Sequence, residues 1–179
     1  CSAIRVWSNQ CALASEVPTF AHALGAAGYE TVLCGRMHFR GPDQRHGFGA
    51  RLVGDVSPPL GGRRSTVLDG LPPGGNRQTY VATAISGPGR TGYQAYDAAV
   101  TEGAVRWLRQ RAARGSGRSF CLVVGLLLPH NPYIAPRDLY EAYLARVEVP
   151  ETPTGYLETL HPAALAWRRA TGLDAVTPD

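Results

Sequence analysis

The sequence predicts an α/β domain, and three observations carry that prediction. Phe120 to Leu128 is a near-continuous apolar run, and Thr31 to Gly35 is a shorter β-branched and apolar one; both read as buried strands. Ala98, Thr101, Val105, Leu108 and Ala112 recur at helical spacing before the longer run. Of the 179 residues, 44% are hydrophobic and 18% charged, enough apolar surface for a core and an argument against disorder. The length suits one domain, expected over 1–179.

In chain order, residues 1–16 form an irregular lead-in. Val17, Phe20, Leu24 and Ala27 then mark a helix, with Pro18 in its first turn and Gly28 as its stop. The strand Thr31–Gly35 follows, and Arg36 to Gly49 is polar, with a turn at Gly41-Pro42-Asp43. Residues 50–92 form a variable, loop-rich excursion rich in Pro and Gly pairs. Within it Val53–Val56 and Tyr80–Ile85 are expected as short strands. A helix begins at Asp97, and Arg106, Arg109, Arg111 and Arg114 are expected on its solvated face and last turns. The strand Phe120–Leu128 is expected to be buried on both faces. Two further helices are expected over Pro136–Ala145 and Pro162–Ala170.

The 18 basic residues are all Arg, against 14 acidic ones, for a net charge of +4. This permits an anionic partner, but the arginines lack aromatic interleaving, so no nucleic-acid partner is expected. No apolar run is long enough to span a membrane, and no basic-then-apolar leader opens the chain. Cys1, Cys11, Cys34 and Cys121 form no C-x-x-C pair, which fits a reducing, cytoplasmic setting. Gly87-Pro88-Gly89-Arg90-Thr91-Gly92 spells G-x-G-x-x-G. However, Pro88 removes a donor from any phosphate cradle, and the next strand ends Leu127-Leu128-Pro129-His130 with no ribose-binding acid. A linker is the better reading.

Both strand runs end in a polar cluster with a histidine: Arg36-Met37-His38 and Pro129-His130-Asn131. Ligands of open α/β sheets sit at the carboxyl ends of strands, so His38 and His130 are expected to face one crevice with Arg36 beside them. That set suits an anion whose charge is held while a leaving oxygen is protonated. His46 reads either as a turn residue or as a substrate contact.

Val17-Pro18-Thr19-Phe20-Ala21-His22 through Gly28-Tyr29, then Gly35-Arg36-Met37-His38-Phe39, Gly41-Pro42-Asp43-Gln44 and His46-Gly47-Phe48, resemble the sulfatase family. The likeness is greatest to choline-sulfatase-like members, whose stretch reads G-K-M-H-F-x-G-P-D-Q-x-H-G-F. Tyr96-Asp97 with its helix and Leu127-Leu128-Pro129-His130-Asn131-Pro132-Tyr133 resemble a second block. The resemblance implies an alkaline-phosphatase-like α/β/α sandwich around a mixed, mostly parallel sheet. It also implies hydrolysis of a small-molecule sulfate ester by a formylglycine nucleophile with a divalent ion, usually calcium.

Carried over by motif, Arg36 and His38 bind the sulfate and assist the nucleophile, and His130 binds the ester and helps protonate the leaving oxygen. Arg36 stands where the family has Lys, replacing a compact ammonium by a broad fork. The family's carboxylate and amide metal ligands have no counterparts, so no metal residue is assigned. Cys1-Ser2-Ala3-Ile4-Arg5 fits the relaxed C-x-A-x-R form of the formylglycine signature, making Cys1 a candidate nucleophile. Val6-Trp7-Ser8-Asn9 resembles a segment beyond that signature, which favours a chance match. The chain therefore reads as an internal fragment, inactive alone. The alternatives are a phosphate or phosphonate ester hydrolase of the same superfamily, or a non-catalytic remnant.

Overall fold

A computed structural model describes residues 3–56, 68, 70–115 and 117–176. Cys1 and the Pro58-Pro59 and Gly61-Gly62 part of the expected excursion lie outside them. The described residues form two compact units, one within 1–69 and 92–128 and the other within 70–91 and 129–179.

The first unit is built on a parallel sheet. Strand β1 (Glu30–Gly35) lies between β2 (Ala50–Arg51) and β4 (Phe120–Gly125), and both pairings are parallel. Helix α1 (Phe20–Ala26) packs on one face and α3 (Gly92–Arg114) on the other. Alternate side chains of β1 make the two interfaces. Leu33 clusters with Ala21 of α1 and Phe48. Cys34 points oppositely, its Sγ–H donating to the Val100 carbonyl of α3 at 3.3 Å. These residues form an α/β/α arrangement.

Both helices turn a different face inward from the one the spacing marks. On α1, Ala21 is the buried residue and Phe20 is exposed, meeting Phe48 edge-on at 5.6 Å. The helix starts at Phe20, after Thr19 rather than within Pro18's turn, and ends before Gly28 at φ +88°. On α3, Tyr93, Tyr96, Val100 and Ala104 are buried, while Val105 and Leu108 of the expected stripe are exposed. The helix begins at Gly92, a turn and more earlier than expected. Its two tyrosines extend the inward face that the shorter reading lacks.

Arg111 is no solvated-face residue. It pairs with Glu30, donates to the Arg118 carbonyl, and lies over the rings of Trp107 and Phe120 at 5.5 and 4.7 Å. Strand β4 is less buried than its composition implies: Phe120 and Val124 are exposed. Among the described residues it has β1 on one side only, so it forms the sheet edge. Val53–Val56 is not a strand; β2 lies just before it.

The second unit holds α2 (Tyr80–Ala84), β3 (Gly87–Pro88), β5 (Ile134–Ala135), α4 (Arg137–Leu144) and α5 (Pro162–Thr171). Tyr80–Ala84 is helical rather than a strand because Thr79 caps it, its hydroxyl accepting from the Ala82 N–H at 3.3 Å. That also removes the strand context a dinucleotide loop needs. Gly87 and Gly89 instead donate to Tyr133 and Ala135 carbonyls as β3 pairs in parallel with β5. Helices α4 and α5 fall where the sequence placed them. His161 Nδ1 caps α5, Pro162 opens it, and Gly172 at φ +72° closes it.

Candidate functional site

The first unit presents Arg36 and His38 at the carboxyl end of β1. Two glycines let the chain pass there. A Cβ on Gly125 would stand 1.9 Å from the Arg36 carbonyl oxygen, and one on Gly35 would stand 2.2 Å from the Gly125 carbonyl oxygen. Across this close approach the Arg36 N–H donates to Gly125 O at 2.8 Å. Both side chains are half-buried. Arg36 Nε donates to His38 Nε2 at 3.0 Å, and its NH2 group reaches the same nitrogen. A guanidinium has no lone pair, so Nε2 is the acceptor and Nδ1 carries the proton of the neutral ring.

This turn is clasped from below. His38 has φ +58°, a left-handed conformation uncommon outside glycine. Its N–H and that of Met37 both donate to Asp55 Oδ2, at 2.7 and 3.0 Å. Arg51 NH2 lies 3.7 Å from the same oxygen, and the Asp55 and Arg51 side chains are only 3% and 9% exposed. Arg51 also donates to the Gly35 and Gln44 carbonyls. The Tyr96 hydroxyl donates to Gly54 O at 2.7 Å, anchoring this segment to α3. Burial, followed by the nearby Asp55 charge, pushes the Tyr96 phenol far above its usual range, so it remains a donor.

Asp97, also on α3, accepts from the Leu127 and Leu128 N–H groups at 2.7 and 3.0 Å and fixes the segment after β4. Neither the Asp55 nor the Asp97 clasp is local in sequence. The Tyr96-Asp97 pair stood in a motif block, but nothing near Asp55 announces its partners.

His46 is fully buried in the turn after Asp43, its ring 4.4 Å from that of Phe39. Its backbone N–H and that of Arg45 donate to Asp43 Oδ1, which holds the Asp43 carboxyl below its ordinary range. Neither ring nitrogen of His46 has a hydrogen-bond partner among the described residues, although Nδ1 stands 3.5 Å from Asp43 Oδ2.

His130 belongs to the second unit. Its Nδ1 lies 2.7 Å from the Asn131 carbonyl oxygen. A carbonyl only accepts, so Nδ1 bears the proton and Nε2 is the nitrogen that can take up or release another. His130 lines a cleft of about 630 Å³ with Arg77, Asn131, Tyr133 and Trp167. A small-molecule site is typically of this size.

The described residues do not fit the calcium ion that the resemblance implies. No group of three or more His, Cys, Asp or Glu side chains among them is placed to hold a metal. Asp43, Asp55 and Asp97 each already accept two backbone N–H groups. No helix among the described residues is long and apolar enough to cross a membrane.

The fold and site thus define an α/β protein with a guanidinium–imidazole pair at the end of a parallel strand. Over 150 residues the chain is 37% identical to the choline-sulfatase of Rhizobium meliloti (strain 1021), a match covering 79% of the chain and 29% of that protein. The match supports a sulfatase-family relationship. No family model matches the chain.

Proposed function

We propose that the chain is a segment of a sulfatase-family hydrolase that cleaves a small-molecule sulfate ester to an alcohol and sulfate. The observation that carries this reading is the Arg36–His38 pair, clasped by Asp55 at the carboxyl end of β1, within a chain similar to a choline-sulfatase. Arg36 supplies a fixed positive charge for the sulfate oxygens, and its bond to Nε2 holds the His38 ring in one orientation. His130, tethered through Nδ1, hands a proton from Nε2 to the departing alkoxide when its ring is charged.

Calcium and formylglycine chemistry would belong to residues other than those described, and Cys1 as nucleophile remains part of the proposal. The 179-residue chain alone is therefore expected not to turn over sulfate esters.

The test is release of sulfate from phenyl sulfate and choline sulfate, with phenyl phosphate alongside, by the polypeptide encoded by this chain and its adjoining reading frame. Sulfate release is expected to fall on the order of 10²–10³-fold in Arg36→Ala, as for loss of an anion-stabilising donor. It is expected to be preserved or raised in Arg36→Lys. Unchanged turnover in Arg36→Ala would remove Arg36 from the site. Hydrolysis of the phosphate ester alone would replace the sulfatase reading by a phosphatase one.

A further inference from the structure

We propose that Arg51 is the positioning residue that holds Arg36 and His38 in register for their anion, acting through the backbone rather than by contact with the substrate. This rests on the sulfatase reading for the reaction it serves and adds a residue to that site.

The first observation is how the peptides that carry the pair are held. Each peptide is a rigid plane, so fixing its polar edges fixes the side chains on either side. Arg51 Nη2 donates to the Gly35 carbonyl at 3.0 Å, and across the same peptide the Arg36 N–H donates to Gly125 O at 2.8 Å. That plane is held at both edges. The next two peptides give the Met37 and His38 N–H groups to Asp55 Oδ2, at 3.0 and 2.7 Å. Arg51 Nη2 stands 3.7 Å from that same oxygen. The guanidinium that holds the first plane therefore also faces the acceptor that holds the next two.

The second observation lies on the far side of His38. Arg51 Nη1 donates to both the backbone carbonyl and the Oε1 of Gln44, each at 2.9 Å. With Oε1 so placed, Gln44 Nε2 donates to the Phe39 and Gly41 carbonyls at 2.8 and 2.9 Å. One side chain thus ties the chain before Arg36, beneath His38 and after it. A planar fork with donors on two terminal nitrogens does this; an ammonium on a flexible stem does not.

The third observation is what the arrangement costs. The Arg51 side chain is 9% exposed, and its Nε has no hydrogen-bond partner among the described residues. A buried donor without an acceptor destabilises, and a buried ion pair stabilises a fold no better than apolar side chains of the same size. Arg51 is therefore a poor device for stability alone and a good one for geometry. The geometry at stake is His38 at φ +58° and the 3.0 Å bond from Arg36 Nε to His38 Nε2. Groups that act on a substrate must be held to within about 0.5 Å.

Heteronuclear NMR of the 179-residue chain at about pH 8 reads that bond while the ring is neutral. The Arg36 Nε–H resonance, assigned by its loss in Arg36→Lys, is expected to be protected from exchange with water, and His38 to show an unprotonated Nε2. Arg51→Lys keeps a charge facing Asp55 and removes the fork. It is expected to speed exchange of the Arg36 Nε–H at least about tenfold and to mix the His38 tautomers, in a chain whose far-ultraviolet circular dichroism matches the parent's. A merely structural role would move the urea midpoint and leave both signals of the folded chain in place. Gln44→Ala is expected to act in the same direction to a smaller extent, and it keeps the test decisive if Arg51→Lys fails to fold. In the longer polypeptide, Arg51→Lys is expected to lower kcat/KM for phenyl sulfate by up to about 10²-fold.

An Arg36 Nε–H that exchanges in the parent as fast as an exposed arginine's would overturn the proposal. So would signals unmoved by Arg51→Lys, or loss of the cooperative fold in both Arg51→Lys and Gln44→Ala. Sulfate release by the longer polypeptide together with any of these results would discard the positioning role and leave the sulfatase reading standing. The expected signals and their loss in Arg51→Lys, without sulfate release, would keep the hold of Arg51 on the pair and discard the sulfatase reading.

Discussion

Replacing Asp55 by Ala is expected to destabilise the first unit by about 3–5 kcal/mol, the range for breaking a buried ion pair from one side. Its Oδ2 accepts from two backbone N–H groups, at 2.7 and 3.0 Å, and faces Arg51 at 3.7 Å. Each hydrogen bond to a charged acceptor contributes about 1.5–3 kcal/mol, and the three contacts share one oxygen, so they do not simply add. With Asp55 gone, the buried Arg51 guanidinium keeps its bonds to Gly35 and Gln44 but no counter-charge within the clasp. His38 at φ +58° then loses what holds it there.

A loss of this size is a large part of the roughly 5–15 kcal/mol that holds a domain together. Urea unfolding followed by far-ultraviolet circular dichroism measures it, as a shift in midpoint at unchanged slope. Asp55→Asn keeps an acceptor oxygen and is expected to cost only about 1–2 kcal/mol. Arg51→Met combined with Asp55→Ala is expected to cost less than the sum of the single changes, by about 0.5–3 kcal/mol. A loss below about 1 kcal/mol in Asp55→Ala would refute the clasp.

The other predictions concern separate elements. Asp97→Ala removes the acceptor for the Leu127 and Leu128 N–H groups and is expected to cost about 2–4 kcal/mol by the same urea assay; an unchanged midpoint would contradict the tie between α3 and the segment after β4. Gly125→Ala places a Cβ against the Arg36 carbonyl, so a loss beyond about 3 kcal/mol is expected, read as failure to give a cooperative melt. The Asp43 carboxyl is held low chiefly by the His46 N–H and then by that of Arg45, so its contribution is present above the unfolded carboxylate range and disappears as pH falls through the lowered value. Asp43→Asn should therefore lower the neutral part of a stability–pH curve and flatten its acid limb, so that variant and parent converge at low pH; an unchanged neutral stability would contradict this role. Among the thiols, hydrogen bonds from Trp7 and Ser8 lower the Cys11 pKa while burial raises that of Cys34. Mass spectrometry after iodoacetamide at pH 8 should find Cys11 alkylated well before Cys34; the reverse order would contradict both placements.

What was legible in the sequence is what short-range physics specifies. The β1 run, the Gly28 stop, the Pro162 start and the apolar β4 run each reflect propensity, capping or burial acting over a few residues. Tyr80–Ile85, expected as a short strand, is helical over Tyr80–Ala84 because the Thr79 hydroxyl caps its first turn. Arg36, His38 and His130 stand out as candidates because strand ends followed by polar clusters are visible in one dimension.

Tertiary structure decided the rest. Which face of α3 turns inward depended on the sheet it meets, and two competing stripes on one helix look alike until Tyr93 and Tyr96 have somewhere to go. The clasp of Asp55 on Met37 and His38 spans 17 or 18 residues, and the Arg111–Glu30 pair spans 81. The unsatisfied Asn131 amide could not be read either, because an asparagine has partners or lacks them only once the chain around it is placed. Sequence fixes which groups can accept, donate or carry charge; only the folded chain brings distant groups within hydrogen-bonding distance, where directional interactions of about 3 Å take effect.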